Sequence, residues 1–261
     1  MNRHDRWNRL LELLAEQGQL NIEDTAALLG VSDATMRRDF DELASQQLLI
    51  RTRGGATAHS VAYELPLRYK TARQAPEKQR IGAAAAALVP AGSTVGMNGG
   101  TTTTEVARAL ATRVDLNEEQ PSPAITVVTN ALNIASELVV RPHISVVVTG
   151  GAAPPKSYQL LGSVAQAMLA SIALDVAIIG VDAVDIKHGI SAKSDEEASI
   201  SRLIAAHADQ VIVVADGSKL GRRAFSRICL MQKVDILVTD NTSPTDAVTM
   251  LTDAGVKVLQ A

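Results

Sequence analysis

Apolar positions in the first fifty residues fall at helical spacing and then give way to a short alternating run. Leu10, Leu13 and Leu14 mark an amphipathic helix from about Arg3 to Gln17, ended by Gly18. Asn21 suits the cap of a second helix, Ile22 to Leu29, with Glu23 and Asp24 in the first turn where carboxylates favour the helix dipole. Gly30-Val31-Ser32 reads as a tight turn. Ser32 then caps a third helix to about Gln46, on which Met36, Phe40 and Leu43 face inward. Leu48 to Arg53 predicts a short strand and Gly54-Gly55-Ala56 a glycine turn. Three helices followed by a small β-ribbon outline a winged helix-turn-helix over residues 1–56. Residues 57–76 show no clean period and carry Arg68, Lys70 and Arg73, which reads as a linker.

From residue 77 to 261 helical and strand patterns alternate. The pattern predicts helix Glu77–Val89, strand Ser93–Met97, helix Thr103–Thr112, strand Ile125–Thr129, helix Ala131–Val139 and strand Ile144–Thr149. Helix Gly162–Ile172, strand Asp175–Gly180, helix Asp195–Ala208 and strand Gln210–Ala215 follow a Gly/Pro stretch. Strand Asp235–Thr239, helix Thr245–Ala254 and a last strand Val256–Leu259 complete the series. Val146-Val147-Val148 and Val211-Ile212-Val213-Val214 are continuous apolar runs, as expected of strands covered by helices on both faces. The class is α/β: an open, mostly parallel sheet whose ligands belong at the carboxyl ends of the strands.

Composition narrows the partners. Twenty-five Lys+Arg against 28 Asp+Glu leave a net charge of −3, so the whole chain has no electrostatic footprint for nucleic acid or an anionic membrane. Aromatics at 2% are too few for a base-stacking platform. The 46% of hydrophobic residues exclude a mostly disordered chain. No apolar run approaches a membrane span, and the first ten residues lack a signal-peptide core, so a soluble cytoplasmic protein is expected. Cys229 is single, and the five histidines lie far apart, so neither a metal site nor a cofactor is expected.

Charge is uneven, however. Residues 1–60 hold seven arginines and nine carboxylates, yet four of the arginines cluster at Arg37, Arg38, Arg51 and Arg53. A capped helix with short polar groups in its first turn and two arginines in its second suits a recognition helix, its arginines reaching guanine edges or phosphates. Arg51 and Arg53 on the ribbon suit flanking backbone or minor groove. A dimerisation bundle with a solvated arginine face is the other reading. Residues 61–80 add a net +3.

Asn98-Gly99-Gly100-Thr101-Thr102-Thr103-Thr104-Glu105 lies between a strand and a helix. Glycines let backbone N–H groups approach an anion, the helix N-terminus adds its dipole, and threonine hydroxyls donate hydrogen bonds. By composition and position this is a phosphate cradle, without the Walker A or dinucleotide pattern. A glycine turn with a threonine-capped helix is the plainer alternative. Thr129-Asn130, Gly150-Gly151, Gly180-Val181-Asp182 and Asp216-Gly217-Ser218-Lys219 also follow apolar strands. Together they suggest one crevice for a small polyol carrying phosphate.

Gly30-Val31-Ser32-x-x-Thr35-x-Arg37-Arg38-Asp39, followed by Gly54-Gly55-Ala56, resembles the DeoR family of bacterial transcriptional regulators. The resemblance implies a winged helix-turn-helix docking on operator DNA within a homo-oligomer, dimer or tetramer, normally as a repressor of sugar-catabolism genes. Ser32, Thr35, Arg37 and Arg38 carry over as DNA contacts, and Phe40 stands where the family usually has leucine. The segments Asn98–Glu105, Thr129-Asn130, Gly150-Gly151, Gly180–Asp182, Glu196-Glu197, Asp216–Lys219 and Gly221–Phe225 are similar to the family's effector domain, of the ribose-phosphate isomerase-like type. A phosphorylated sugar is the implied effector, with Asn98, Gly99, Gly100, Thr101, Thr102, Thr103, Thr129, Asn130, Gly151, Asp182, Glu197, Asp216 and Lys219 as its candidate contacts. Asn98-Gly-Gly replaces the more usual Asp-x-Gly, and Ser194-Asp195 precede Glu196 where the family more often has other polar residues.

The isomerase likeness supplies a rival. Asp182, Asp185, Lys193 and Glu196 or Glu197 resemble an acid, base and lysine set for aldose–ketose interconversion. The fused DNA-binding module favours a sensor that is not an enzyme. Gly221–Phe225, with Arg222 and Arg223, fits either pocket support or an oligomer contact.

Overall fold

The computed structural model describes residues 3–45, 49–57, 75–116, 123–154 and 158–261. The expected linker falls almost wholly outside these residues, as do Arg68, Lys70 and Arg73. The chain divides into two compact units, Met1–Arg73 and Gln74–Ala261.

In the first unit α1 (Arg3–Gln17), α2 (Ile22–Leu29) and α3 (Asp33–Ser45) follow the sequence pattern closely. The Asn21 side chain accepts from the Glu23 N–H at 2.8 Å, capping α2, and Gly30 ends that helix at φ 64. Ser32 Oγ accepts from the Thr35 N–H at 3.2 Å and starts α3. The ribbon is richer than the pattern implied. Strands β1 (Gln19–Asn21), β2 (Ile50–Thr52) and β3 (Gly55–Thr57) form an antiparallel sheet in the order β1-β3-β2. Gly55 and Ala56, read as turn, therefore belong to a strand. Met36, Phe40 and Leu43 are fully buried against Leu10, Leu14 and Leu20, as their spacing requires.

One polar cluster pins α1 to α3. Asp39, buried, accepts from Arg6 Nε at 2.5 Å and from Trp7 Nε1 at 2.8 Å. The Asp39 hydrogen bond raises the Arg6 guanidinium above its ordinary value despite the opposing effect of burial.

In the second unit the series runs α4 (Ala75–Ala86), β4 (Thr94–Met97), α5 (Thr101–Thr112), β5 (Ile125–Thr129), α6 (Leu132–Leu138), β6 (Ile144–Val148) and α7 (Ser163–Leu169). It continues through β7 (Leu174–Gly180), β8 (Ala183–Asp185), β9 (Gly189–Ala192), α8 (Asp195–Ala206), β10 (Ala208–Val214) and β11 (Ser226–Cys229). The last elements are β12 (Ile236–Thr239), α9 (Thr245–Asp253) and β13 (Lys257–Gln260). Seven strands pair in parallel in the order β13-β12-β10-β7-β4-β5-β6. Helices α4, α5 and α6 cover one face through Ile81, Val106, Leu110, Ile134 and Leu138. Helices α7, α8 and α9 cover the other through Leu169, Ile200, Ile204 and Leu251. The alternation of helix and strand thus yields the three layers it predicted. What it did not predict is a second antiparallel sheet, β11-β9-β8. Among the described residues no helix is long and apolar enough to cross a membrane.

Trp7 is the chain's single tryptophan and lies in the Asp39 cluster, so its fluorescence reports the first unit alone. Asp39→Ala strands the Arg6 and Trp7 donors in a buried place and is expected to destabilise this unit by about 2–4 kcal/mol. Denaturant unfolding followed by Trp7 emission should move to lower concentration, while far-ultraviolet dichroism of the second unit keeps its midpoint.

Candidate functional site

The strand order reverses between β4 and β7. After β4 the chain proceeds outward through β5 and β6; β7 then returns to β4's other side. Such a reversal opens a crevice beyond the carboxyl ends of the two strands, where open α/β sheets place their ligands. The Asn98–Glu105 segment leaves β4 at this point, and Gly180–Asp182 leaves β7.

Asn98 is buried and spans the gap. Its Nδ2 donates to the Gly180 carbonyl at 2.8 Å and to Ser201 Oγ on α8 at 2.9 Å, while the Gly180 N–H donates to its Oδ1 at 2.8 Å. The side chain, read as a ligand contact, therefore works as a clamp between strands. Helix α5 begins at Thr101, two residues before the expected start. The threonines also differ from expectation: Thr103 Oγ1 and Thr104 Oγ1 both donate to the Gly100 carbonyl, at 3.0 and 2.7 Å. Their hydroxyl protons are used within the turn. Gly99, Gly100 and Thr101 are partly exposed where the loop leaves β4, and the N–H groups of the first turn of α5 have no intrahelical acceptor.

The neighbouring loops close against this one. Thr129 Oγ1 donates to the Met97 carbonyl at 2.8 Å, and Asn130 Nδ2 donates to the Leu160 carbonyl at 3.1 Å. Gln159, which the pattern did not single out, lies against Gly99. A Cβ at position 99 would stand 2.5 Å from Gln159 Cγ, so glycine is needed there for this side chain as much as for an anion. Gly151 turns at φ 118, and a Cβ there would stand 2.5 Å from the Leu161 carbonyl oxygen.

The remaining candidates stand along the same edge of the sheet. Asp182 Oδ2 accepts from the Lys193 N–H at 2.9 Å. Glu197 sits in the first turn of α8, its N–H donating to Ser194 Oγ. Asp216 is buried and accepts from the Ser218 N–H at 3.0 Å, capping the turn Gly217–Lys219. Lys219 is half-buried, and its ammonium has no ion pair among the described residues. Beside Asp182, the β8–β9 hairpin carries Asp185. Burial pushes the Asp185 carboxyl up, but hydrogen bonds from His188, Arg223 and the Lys187 N–H outweigh it and hold the group well below the usual carboxylate range. A carboxylate fixed that far from neutrality is a poor proton carrier for an isomerase. Arg222 and Arg223 are exposed, and Arg223 Nε reaches Asp185 at 3.3 Å. Burial pushes the Cys229 thiol up to about 11, which leaves it unreactive near neutral pH.

In the first unit Ser32 and Thr35 engage each other, Oγ to Oγ1 at 3.0 Å. Arg37, Arg38 and Arg53 are exposed, with no hydrogen-bond or ion-pair partner among the described residues. Arg51 departs from expectation: it pairs with Asp41 at 2.6 Å, donates to the Gly55 carbonyl at 2.7 Å, and lies over the Phe40 ring. Its charge ties the wing to α3.

A winged helix-turn-helix joined to a three-layer α/β unit with its crevice at a strand-order reversal defines a DNA-binding regulator with a sensor domain. Family models agree on both parts: a DeoR-like helix-turn-helix domain matches residues 6–61, and the DeoR C terminal sensor domain matches residues 73–241. The chain belongs to the DeoR family of transcriptional regulators. It is 31% identical to the glycerol-3-phosphate regulon repressor of Escherichia coli K12, over 97% of each chain. It is 34% identical to the HTH-type transcriptional repressor GlcR of Bacillus subtilis, over 92% of this chain and 89% of that one. Among solved structures, the full-length sorbitol operon regulator SorC from Klebsiella pneumoniae covers 96% of this chain and 99% of its own at 14% identity and a TM-score of 0.41. The ribose 5-phosphate isomerase A of Methanocaldococcus jannaschii covers 56% and 54% at 18% identity and a TM-score of 0.42. The expectation of a regulator rather than an enzyme agrees with the names of the relatives.

Asn98→Ala removes three hydrogen bonds and leaves both Gly180 groups without their side-chain partner. It is expected to destabilise the second unit by about 2–4 kcal/mol, read by far-ultraviolet dichroism, with the Trp7 transition unmoved.

Proposed function

We propose that this protein represses a sugar-catabolism operon and that a phosphorylated sugar relieves the repression. Winged helix-turn-helix 1–56, linker 57–76 and effector domain 77–261 are the working parts. Helix α3 enters the major groove of double-stranded operator DNA, with Ser32 and Thr35 at its leading end and Arg37 and Arg38 on bases or phosphates. Arg53 on the wing reaches flanking backbone, whereas Arg51 acts through the wing's position. The observation that carries the DNA reading is the pair of exposed arginines on α3 that no carboxylate among the described residues neutralises. A homo-oligomer, dimer or tetramer, binds repeated half-sites in the cytoplasm.

The effector enters at the reversal between β4 and β7. Backbone N–H groups of Gly99 to Thr102 and the Thr101 and Thr102 hydroxyls hold its phosphate at the start of α5. Lys219, Asp182 and Glu197 line the route along the strand ends, and Asn98, Thr103, Thr129, Asn130, Gly151 and Asp216 shape it. Binding shifts operator affinity by the effector's differential affinity for the two regulatory states. The sign, repression, is taken from the names of the relatives.

Two experiments test this. Replacing Arg37 and Arg38 by alanine should abolish operator retention in a gel-shift assay while the Trp7 unfolding transition stays in place; undiminished retention would sink the DNA assignment. Thr101→Val with Thr102→Val should remove the thermal stabilisation that a phosphorylated sugar confers on the native chain, and persistent stabilisation would place the phosphate elsewhere.

A further inference from the structure

The strap from Tyr158 to Leu161 lies beside the proposed phosphate loop and is tied at both flanks. The Leu132 N–H donates to the Tyr158 carbonyl at 2.8 Å and the Leu160 N–H to the Asn130 carbonyl at 2.7 Å. Ala152 and Leu161 exchange backbone bonds of 2.9 and 2.8 Å. Tyr158 itself holds φ 55, a left-handed conformation that a residue with a side chain adopts only when its surroundings impose it. This framework presses the buried Gln159 side chain onto Gly99, with Oε1 2.9 Å from where a Cβ at 99 would stand.

Asn130 lies next to it and is fully buried. Its Nδ2 is fixed by the Leu160 carbonyl at 3.1 Å and faces Gln159 Oε1 at 3.4 Å. Its Oδ1 has no hydrogen-bond partner among the described residues. Exchanging the two amide atoms does not cure this, because the oxygen would then oppose the Leu160 carbonyl. A buried acceptor without a donor is costly, and native structures rarely keep one except where something else supplies the proton.

We infer that Gln159 is a recognition residue for the effector: the carboxamides of Gln159 and Asn130 read a hydroxyl of the sugar while the loop at Gly99–Thr102 holds its phosphate. The inference rests on the effector reading above and divides that site in two. A phosphate dianion only accepts hydrogen bonds and suits the N–H groups of the loop. A hydroxyl also donates, which is what Asn130 Oδ1 lacks. The Gln159 carboxamide, turning from Gly99, donates through its Nε2 to the oxygen of the same hydroxyl. The ligand class is therefore a short polyol phosphate, and inorganic phosphate fills only half of the site.

The test uses the full chain, titrated calorimetrically with inorganic phosphate, glycerol 3-phosphate, ribose 5-phosphate and glucose 6-phosphate. In Gln159→Ala the tightest of the polyol phosphates should lose about tenfold in affinity while inorganic phosphate stays within about twofold. Gln159→Leu keeps the bulk against Gly99 and removes the amide, so it should show the same split. Native affinity for the polyol phosphate in Gln159→Leu overturns the inference, because packing alone would then explain the residue. A proportional loss of phosphate and polyol phosphate also overturns it, leaving Gln159 as a support of the loop. A native chain that binds phosphate but no polyol phosphate more tightly overturns the ligand class. A native chain that binds none of the four overturns the effector reading, and this inference with it.

Discussion

The second unit depends on how its sheet survives its own reversal. Inside a parallel sheet each strand satisfies its neighbours, but between β4 and β7 the ladder stops at Met97 opposite Ile178 because the two chains leave in different directions. The Gly180 N–H and carbonyl would face nothing on that side. The Asn98 carboxamide replaces the missing residue of strand, accepting from one group and donating to the other, and its second proton holds Ser201 on α8. An aspartate in this place accepts from the Gly180 N–H but has no proton for the carbonyl or the serine. The departure from the family's more usual aspartate is thus a change in how the crevice is braced. The same bond fixes where the loop begins, and so where α5 presents its free N–H groups.

Similar bracing recurs at other strand ends, and it explains why the site was only half legible. Thr129 ends β5 on the Met97 carbonyl, Asp216 caps the turn after β10, and Asp240 accepts from the Gly217 N–H at 2.6 Å beyond β12. Short polar residues after apolar strands are what a ligand crevice needs, and equally what a loop needs to satisfy its backbone. Sequence cannot separate the two uses, since both choose Asn, Asp, Ser and Thr at the same positions. Gln159 was invisible for a different reason. Its significance comes from contact with Gly99, sixty residues earlier in the chain, and no local pattern marks it.

The fold divided along similar lines. Strands such as β10, with four apolar residues in a row, and helices such as α3, with Met36, Phe40 and Leu43 in register, carry their structure in a period long enough to count. Strands β1, β8 and β9 have three or four residues each, too few for alternation to show. β8 and β9 form a local hairpin, but β1 and the outer edge of β9 pair with partners distant in sequence: Gln19 opposes Thr57, and Ser226 opposes Ala192. The extra strand of the wing and the β11-β9-β8 sheet are products of tertiary contact rather than of propensity.

Charge in the first unit shows why a sum misleads. Residues 1–60 are net negative, yet α3's carboxylates are mostly answered from within the unit: Asp39 by Arg6, Asp41 by Arg51, and Glu42 by Arg3 at 3.8 Å. Only Asp33 remains, at the helix start where the dipole favours it. The exposed Arg3–Glu42 pair contributes little to stability, but it cancels charge locally all the same. Arg37 and Arg38 are left as the unanswered charges of that helix, on the turn after its cap. A duplex meets the field of the surface it touches, within a Debye length of about 8–10 Å, and not the balance of the whole chain. Pairing inside the module therefore makes an acidic sequence present a basic face.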